Sequence, residues 1–199
     1  SYATEALKEA SKKEFILNIL KKGDTSIQDL EVIEAEKSAN FEEKKKPQLL
    51  VSKKEYMGGL AHGRFSFERY ESEGTRKLFE LSPYIYEAVK EGRPLVFDEF
   101  DARFHSLLTK RIVQLFNSEE NKQTQFIFVT HDTSLLSSSF LRRDQIEFVE
   151  KDKAGASHLY SLAQINGIRA KASFEKDYRH GKYGAIPLVE DFSELAANS

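Results

Sequence analysis

Apolar and charged residues at the start of the chain are arranged as in an amphipathic helix followed by a small sheet. Apolar side chains recur at helical spacing over residues 3–21, and Gly23 with Asp24 provides a stop signal. Runs of alternating or β-prone residues then predict three strands, at 29–36, 48–56 and 64–70. The charged stretch 37–46 is expected to be a solvated loop. We therefore predict a helix and a small, mostly antiparallel sheet for residues 1–70.

After residue 70 the pattern changes to helices that alternate with short, fully apolar strands. A helix is predicted over 76–90, with a kink or a restart at Pro83, because a proline inside a helix costs about 3 kcal/mol. Two apolar runs, 95–97 and 126–129, flank a predicted helix at 105–116. A strand, a helix and a strand in this order predict a βαβ unit with parallel strands and a right-handed crossover.

The last part of the chain predicts a closing hairpin and a loose end. The hairpin strands are expected at 145–151 and 157–163, and the polar tail at 189–199 is expected to fray. The predicted organisation is therefore an N-terminal helix and β-subdomain over 1–70, then an α/β domain over 71–188.

The composition is that of an ordinary globular protein, with 40% hydrophobic residues, 31% charged residues and a formal net charge of −2. This composition argues against nucleic-acid binding by bulk charge alone and leaves a local basic patch open. The chain has no cysteine, which excludes disulfides and cysteine-ligated zinc. No apolar run is long enough to span a bilayer and no signal peptide is visible, so we expect a cytoplasmic protein. Its first residue, Ser1 rather than Met, indicates a processed terminus or an excised piece.

Acidic and imidazole side chains follow the two predicted parallel strands. Asp98 and Glu99 end the first strand, and Thr130 and His131 end the second. Because ligands of open parallel sheets bind at the carboxyl ends of the strands, these residues are expected to converge. Neighbouring strand residues point to opposite faces, so one acid can hold a hydrated Mg²⁺ and the other can deprotonate an attacking water. Alternatively, such acids, Asp101 among them, only cap a helix, and the histidine only marks a turn.

A second candidate site is the segment Ser72-Glu73-Gly74-Thr75, which precedes the 76–90 helix. A serine hydroxyl, backbone amides beside a glycine and a helix N-terminus suit an anion. Taken alone, a serine two residues before a glycine at this place is more often a helix cap.

Three motifs together resemble the second half of an ABC-type ATPase head, as found in the SMC, RecF and overcoming-lysogenization-defect ATPases. They are a signature loop, a Walker B strand with its D-loop, and a switch histidine, carried by Ser72-x-Gly74-Thr75, Leu95–Asp101 and Phe128–Asp132. The segment Gly181–Pro187 matches a further motif of RecF-like, AAA-labelled ATPases from bacterial abortive-infection and restriction-linked defence loci. The resemblance covers roughly residues 25–188.

This resemblance implies an α/β fold, the C-terminal lobe of a P-loop NTPase head, and a role for each acid and for the histidine. Asp98 would hold the Mg²⁺ shell, Glu99 would act as general base, and His131 would contact the γ-phosphate. Phe100 and Asp101 would begin the D-loop, which reports across a dimer.

The signature loop would bind the γ-phosphate of a nucleotide held by the opposite subunit, through Ser72, Gly74 and Thr75. Glu73 stands where many signatures have glycine, and Thr75 where they have glutamine or glutamate, which fits the RecF-like subfamily better than the transporters. His105 matches a family position without a known role, and we interpret it as a surface or capping residue.

The Walker A phosphate loop, Gly-x4-Gly-Lys-Ser/Thr, does not occur in the sequence. It normally lies upstream in such heads, and we expect that this chain starts too late to include it. The resemblance implies ATP and Mg²⁺ as cofactors, a Walker A-containing N-terminal segment or subunit as partner, and an ATP-dependent homodimer. A nuclease or other effector subunit and a nucleic acid rest on family analogy alone.

Two other functional classes stay open at the level of the sequence. One is a Mg²⁺-dependent nuclease that uses Asp98, Glu99 and Asp101 directly. The other is an interaction module in which these acids are only caps. ATP-dependent dimerisation would distinguish the ATPase from both. The sequence names neither the effector, the nucleic-acid substrate nor the trigger for hydrolysis.

Overall fold

The computed structural model describes five stretches of the chain, residues 1–33, 48–54, 62–121, 123–168 and 172–187. The chain divides into two compact units, Ser1–His131 and Asp132–Ser199. The domain boundary at residue 70 stays a prediction. The predicted loop 37–46 and the tail 189–199 lie outside the described residues. Within the five described stretches, no helix is long and apolar enough to cross a membrane.

The first unit begins with two helices, α1 (Tyr2–Ala6) and α2 (Ala10–Gly23), so the prediction of a single helix over 3–21 was wrong. The amides of Lys8 and Glu9 bond to carbonyls three residues earlier, which tightens the backbone and ends α1. Both helices pack against a later helix, and α2 ends at Gly23, where the stop signal was predicted.

Three strands form a small antiparallel sheet in the order β1-β2-β3: β1 (Ile27–Ile33), β2 (Gln48–Lys54) and β3 (His62–Ser66). The prediction that the third strand runs to residue 70 was wrong, because a helical turn, α3 (Phe67–Tyr70), follows β3. In this turn Phe67 is buried against Phe79, with 5.0 Å between ring centroids.

The long helix α4 (Glu73–Glu91) runs without a break through Pro83, so the predicted restart was wrong. A proline has no amide hydrogen, and the carbonyl of Phe79 therefore lacks its helical partner. The single hydrogen of the Ser82 hydroxyl is shared between that carbonyl, at 2.9 Å, and the carbonyl of Leu78, at 2.6 Å. Ser82 thus serves inside the helix rather than at a new helix start, and Gly92, in the left-handed region, ends α4.

A parallel βαβ unit follows: β4 (Leu95–Phe97), α5 (Ser106–Phe116) and β5 (Phe126–Phe128). The two strands pair in parallel, with Phe97 opposite Phe128. Continuous apolar runs form these strands, as expected for strands of a parallel sheet. Both strands end at the same edge, so the residues after them emerge close together.

Phe100 lies at the centre of an aromatic cluster that anchors the loop after β4. It is fully buried, and four rings lie within 6.1 Å of its centroid: Phe97, Phe104, Phe126 and Phe128. Phe116 of α5 stacks on Phe126 at 4.3 Å, so α5 covers this face of β4 and β5.

The opposite face of β4 and β5 is apolar and open to solvent. Val96 is 71% exposed, Ile127 50% and Val129 55%. These residues alternate with the partly buried phenylalanines of the strands and therefore point to the other side of the sheet. Parallel sheets are almost always covered on both faces, so an open apolar face is unusual for a sheet of this kind.

The second unit is built on a hairpin of β6 (Glu147–Lys151) and β7 (Ser157–Ser161), followed by α6 (Phe174–Arg179). Its core contains five buried residues, Ile146, Phe148, Leu162, Phe174 and Tyr183. The hydroxyl of Tyr160 donates to the carbonyl of Tyr183 at 2.6 Å. A Cβ atom on Gly184 would lie 2.6 Å from that hydroxyl, so part of the Gly181–Pro187 motif packs this core.

Phe100→Ala is expected to lower the free energy of unfolding by about 3–5 kcal/mol, because it removes a buried ring from a close-packed cluster. Urea unfolding followed by circular dichroism measures the change. Val96→Ala, at an exposed position of the adjacent strand, is the control and should change stability by about 0.5 kcal/mol or less. Equal losses for the two variants would contradict the anchoring role of Phe100.

Gly184→Ala tests the contact in the second unit. Gly184 and Gly155 both have positive φ, 74° and 84°, but a Cβ atom at Gly155 meets nothing within 4 Å. Each alanine should cost about 1–2 kcal/mol for its backbone conformation. Gly184→Ala should cost about 1 kcal/mol more, because the Tyr160 hydroxyl has to give up its hydrogen bond. In a Tyr160→Phe background this excess should disappear, and an excess that persists would refute the contact.

Candidate functional site

The loops that follow β4 and β5 are tied together by hydrogen bonds beyond the strands themselves. The amide of Val129 donates to the carbonyl of Phe97, and the amide of Phe100 donates to the carbonyl of Val129, each at 3.0 Å. The amide of His131 lies 3.3 Å from Oδ1 of Asp101. The loop after β4 therefore lies against the backbone of the segment that carries His131, and the convergence of its imidazole with the carboxylates of Asp98 and Glu99 stays a prediction.

The two adjacent acids are held by a turn rather than by a strand. β4 ends at Phe97, so the alternation of a strand, which the sequence argument used, does not orient Asp98 and Glu99. Glu99 has φ 48°, a left-handed conformation that is strained for a residue with a side chain. Its amide donates to Oδ1 of Asp98 at 3.0 Å, and both residues are exposed. Both carboxylates are thus available to a ligand.

The capping alternative fails for Asp101 and holds for His105. Asp101 accepts from the amide of His131, and no helix begins beside it. The N-cap of α5 is His105, whose Nδ1 accepts from the amide of Leu107 at 3.2 Å. The interpretation of His105 as a capping residue is confirmed.

Ser72, the first residue of the predicted signature loop, caps α4. Its Oγ accepts from the amide of Thr75 at 3.1 Å and lies 2.9 Å from the Thr75 hydroxyl. Ser72 and Glu73 are exposed. The capping role that the sequence allowed is therefore present, and it fixes the serine hydroxyl at the N-terminus of a 19-residue helix.

Gly74 lies against the backbone of the loop after Phe100. A Cβ atom on Gly74 would lie 2.8 Å from the carbonyl oxygen of Arg103, which is too close for any other residue at this position without a shift. Arg103 itself has φ 70°, and its Nε lies 3.5 Å from the Glu73 carboxylate. The signature segment and the D-loop segment thus touch directly.

A buried ion pair lies immediately before the signature segment. Nζ of Lys53 on β2 approaches Oε1 of Glu71 to 2.8 Å, and the Glu71 side chain is only 2% exposed. Burial lowers the pKa of Lys53, but the carboxylates of Glu71 and Asp24 outweigh it, and the pKa is raised. Because loss of the ammonium group would leave the nearly buried Glu71 carboxylate without its charged partner, this contact fixes the start of the signature segment on the small sheet.

Sequence reasoning missed Lys77, which lies one turn into α4. Its ammonium group donates to backbone carbonyls of the loop that carries the acids. Nothing in the sequence distinguishes this lysine from the other lysines on helices. Gly74 was singled out from the motif, but its contact with Arg103 had no sequence signal either.

Two clefts of the first unit adjoin at Arg103, which lines both. Asp98 and Glu99 line a cleft of about 760 Å³ together with residues of α4. Ser72, Gly74 and Thr75 line a second cleft of about 330 Å³. Glu73 also lines the first cleft, so the acids share that cleft with one residue of the signature segment.

Asp98 fits a magnesium ion better than a cluster of metals. Mg²⁺ commonly takes one or two carboxylates and completes its octahedral shell with water and phosphate oxygens. An exposed carboxylate beside a strand end meets that requirement. Among the residues that the structure describes, no three His, Asp or Glu side chains lie close enough to share a metal ion.

Residues 10–137, more than half of the chain, match the family described as "AAA domain, putative AbiEii toxin, Type IV TA system". No curated protein matches the chain in sequence.

Among solved structures, the chain is similar to one described as "Structural biochemistry of ATP-driven dimerization and DNA stimulated activation of SMC ATPases". The TM-score is 0.54 at 16% identity, over 94% of this chain and 99% of that chain. A second, "Crystal structure of the SmcHead bound to the C-winged helix domain of ScpA", has a TM-score of 0.45 at 20% identity, over 84% of this chain and 44% of that chain. At 16% identity, the first similarity concerns the fold alone. By its family match the chain belongs to this AAA domain family, and its fold is similar to that of the first of these structures.

Proposed function

We propose that the chain is the C-terminal lobe of a cytoplasmic ABC-type ATPase head, which binds and hydrolyses ATP with Mg²⁺ when two heads dimerise. The observation that carries this proposal is the hydrogen-bonded edge of β4 and β5, where Asp98, Glu99 and His131 emerge together. An ATPase needs a metal ligand, a general base and a group that contacts the terminal phosphate, and this edge offers a candidate for each.

In this proposal the two adjacent acids have different roles. Asp98 holds Mg²⁺, which would neutralise charge on the phosphates of bound ATP. Glu99 orients the attacking water and takes its proton, and the left-handed turn at Glu99 sets the direction of its carboxylate. His131 donates a hydrogen bond to the γ-phosphate, and Asp101, which bonds the amide of His131, connects this contact to the D-loop.

The signature segment serves the nucleotide of the opposite head. Ser72 and the amides at the N-terminus of α4, with Gly74 and Thr75, form a site suited to an anion. These three residues line a cleft that Asp98 and Glu99 do not line, which supports a second nucleotide there. A composite site of this kind makes hydrolysis depend on dimerisation.

A Walker A-containing segment or subunit is proposed to pack on the open face of β4 and β5. An apolar surface is formed there by Val96, Ile127 and Val129, and its exposure to water is unfavourable in free energy. The sequence contains no phosphate loop of its own, so another segment has to supply the groups that hold the β-phosphate. Covering the face and completing the nucleotide site would then be one event.

The wider role that we propose is in bacterial phage defence, with an effector such as a nuclease and with DNA or RNA as further partners. The description of the family, which names a toxin–antitoxin system, supports the defence role. The SMC ATPases described above are activated by DNA, which supports a nucleic-acid partner only by analogy.

Glu99→Gln tests the general base. In the complete head, this chain joined with its Walker A partner, the variant should still bind ATP, while the hydrolysis rate falls about 10²–10⁴-fold. Phosphate release and equilibrium ATP binding measure the two properties. The chain without its Walker A partner should hydrolyse ATP negligibly.

Glu119→Gln, at an exposed glutamate after α5, is the matched control and should hydrolyse ATP at the wild-type rate. Near-normal turnover by Glu99→Gln would assign the base to another residue. Steady Mg²⁺-dependent turnover by the chain alone, abolished by Glu99→Gln, would contradict the need for a Walker A partner.

Ser72→Arg tests the signature assignment. In a complete head that also carries Glu99→Gln, the large cation should block head closure and abolish ATP-dependent dimerisation in sedimentation, with ATP binding retained. Because Ser72 also caps α4, the variant should lose about 1 kcal/mol of stability. Ser72→Ala loses the same cap and the hydroxyl contact without adding bulk, so it should share the stability loss and dimerise more weakly than the parent but more strongly than Ser72→Arg. Dimerisation of Ser72→Arg at the parent level would show that the signature assignment is wrong.

A further inference from the structure

The ammonium group of Lys77 lies at the point where three backbone carbonyls of the acidic loop, the segment 98–104 after β4, converge. Its Nζ is 3.0 Å from the carbonyl oxygen of Glu99, 3.2 Å from that of Phe100 and 2.8 Å from that of Ala102. A lysine ammonium has three hydrogens to donate, so each can meet one carbonyl. The side chain thus acts as a cap for a stretch of backbone that is neither helix nor strand.

Aromatic rings complete the surroundings of this ammonium group. Nζ lies 5.3 Å from the ring centroid of Phe97 and 5.0 Å from that of Phe104, distances at which a cation is attracted to the ring face. Burial lowers the pKa of Lys77, and the nearby carboxylates of Asp101 and Glu99 oppose that effect. The site is therefore partly dry, which strengthens the hydrogen bonds to the loop.

The loop needs such a contact because its backbone is strained. Glu99 and Arg103 both have positive φ, 48° and 70°, which residues with side chains adopt only when the surrounding structure enforces it. The three carbonyls that Lys77 binds lie between these two residues or at the first of them. Removing the ammonium group would leave them without this donor and would let the turn relax.

Lys77 also connects two functional segments. It lies on α4, whose first residues form the signature segment, five positions after Ser72. A movement of α4 on dimerisation would therefore pull directly on the backbone of Glu99. In space, the contact between Lys77 on α4 and the backbone of Glu99 is direct, with no other helix or strand between them.

We propose that Lys77 is a positioning residue for ATP hydrolysis: it holds the backbone of Glu99 so that the carboxylate meets the attacking water, and it transmits displacement of α4 to that carboxylate. This inference rests on the proposed function. It assigns to Lys77 no contact with nucleotide.

Lys77→Met is the test variant, because methionine keeps an unbranched apolar side chain and removes the donors. Lys90→Met, at an exposed lysine on the same helix, is the control, and Lys77→Arg is the conservative variant. The first readout is amide hydrogen exchange of residues 98–104 in the chain itself. The amides of Phe100, Ala102 and Phe104 are hydrogen-bonded, so their exchange reports on the loop.

Exchange at these amides should be about 10-fold faster or more in Lys77→Met, unchanged in Lys90→Met and intermediate in Lys77→Arg. Unchanged exchange in Lys77→Met would overturn the inference, whatever the ATPase activity. This readout needs no nucleotide and therefore does not depend on the proposed function.

The second readout is steady-state ATP hydrolysis by the complete head. In Lys77→Met, kcat should fall about 10- to 100-fold while KM for ATP changes by about 2-fold or less, because the base is displaced and the nucleotide contacts are kept. Lys77→Arg should recover part of kcat. Faster loop exchange with unchanged kcat would overturn the positioning role. A wild-type head that fails to hydrolyse ATP would refute the proposed function, and with it the catalytic part of this inference, while the exchange result would stand.

Discussion

The parallel pairing of β4 with β5 is the constraint on which the rest of the first unit depends. The ladder continues past both strands through backbone hydrogen bonds, so the acidic loop and the histidine segment cannot move independently. The buried ring of Phe100 fixes the loop after β4 through the aromatic cluster, and the ammonium group of Lys77 fixes it through hydrogen bonds to its carbonyls. Exposed carboxylates are thereby mounted on a rigid base, which is the arrangement that a preorganised catalytic site needs.

The βαβ unit of β4, α5 and β5 was the part of the molecule that the sequence predicted best, because two continuous apolar runs and a helix between them have few alternative folds. Errors arose where a single side chain decides the outcome: Ser82 repairs the helix at Pro83, and a helical turn at Phe67 replaces the end of a strand. The contacts of Lys77 and of Gly74 join segments far apart in sequence and leave no periodic pattern. The motifs therefore identified which residues matter, but not what holds them.

The open face of β4 and β5 and the two clefts of the first unit support the same interpretation. An apolar sheet face that is exposed over three residues favours a covering segment. Ser72 lines one cleft and the acids line the adjoining one, which favours two bound nucleotides. Both features follow if this chain is one lobe of a head that works in pairs. The chain then contributes the acids to one nucleotide and the serine to the other, with α4 and Lys77 as the mechanical connection between them.

The most direct measurement is a structure of the complete head, in the Glu99→Gln background, with ATP and Mg²⁺. The account predicts a dimer in which Asp98 of one chain faces the nucleotide of its own head. Ser72 of the same chain should lie within hydrogen-bonding distance, about 3 Å, of the γ-phosphate held by the partner. Contact of Asp98 and Ser72 with the same nucleotide, or a nucleotide that touches neither residue, would contradict it.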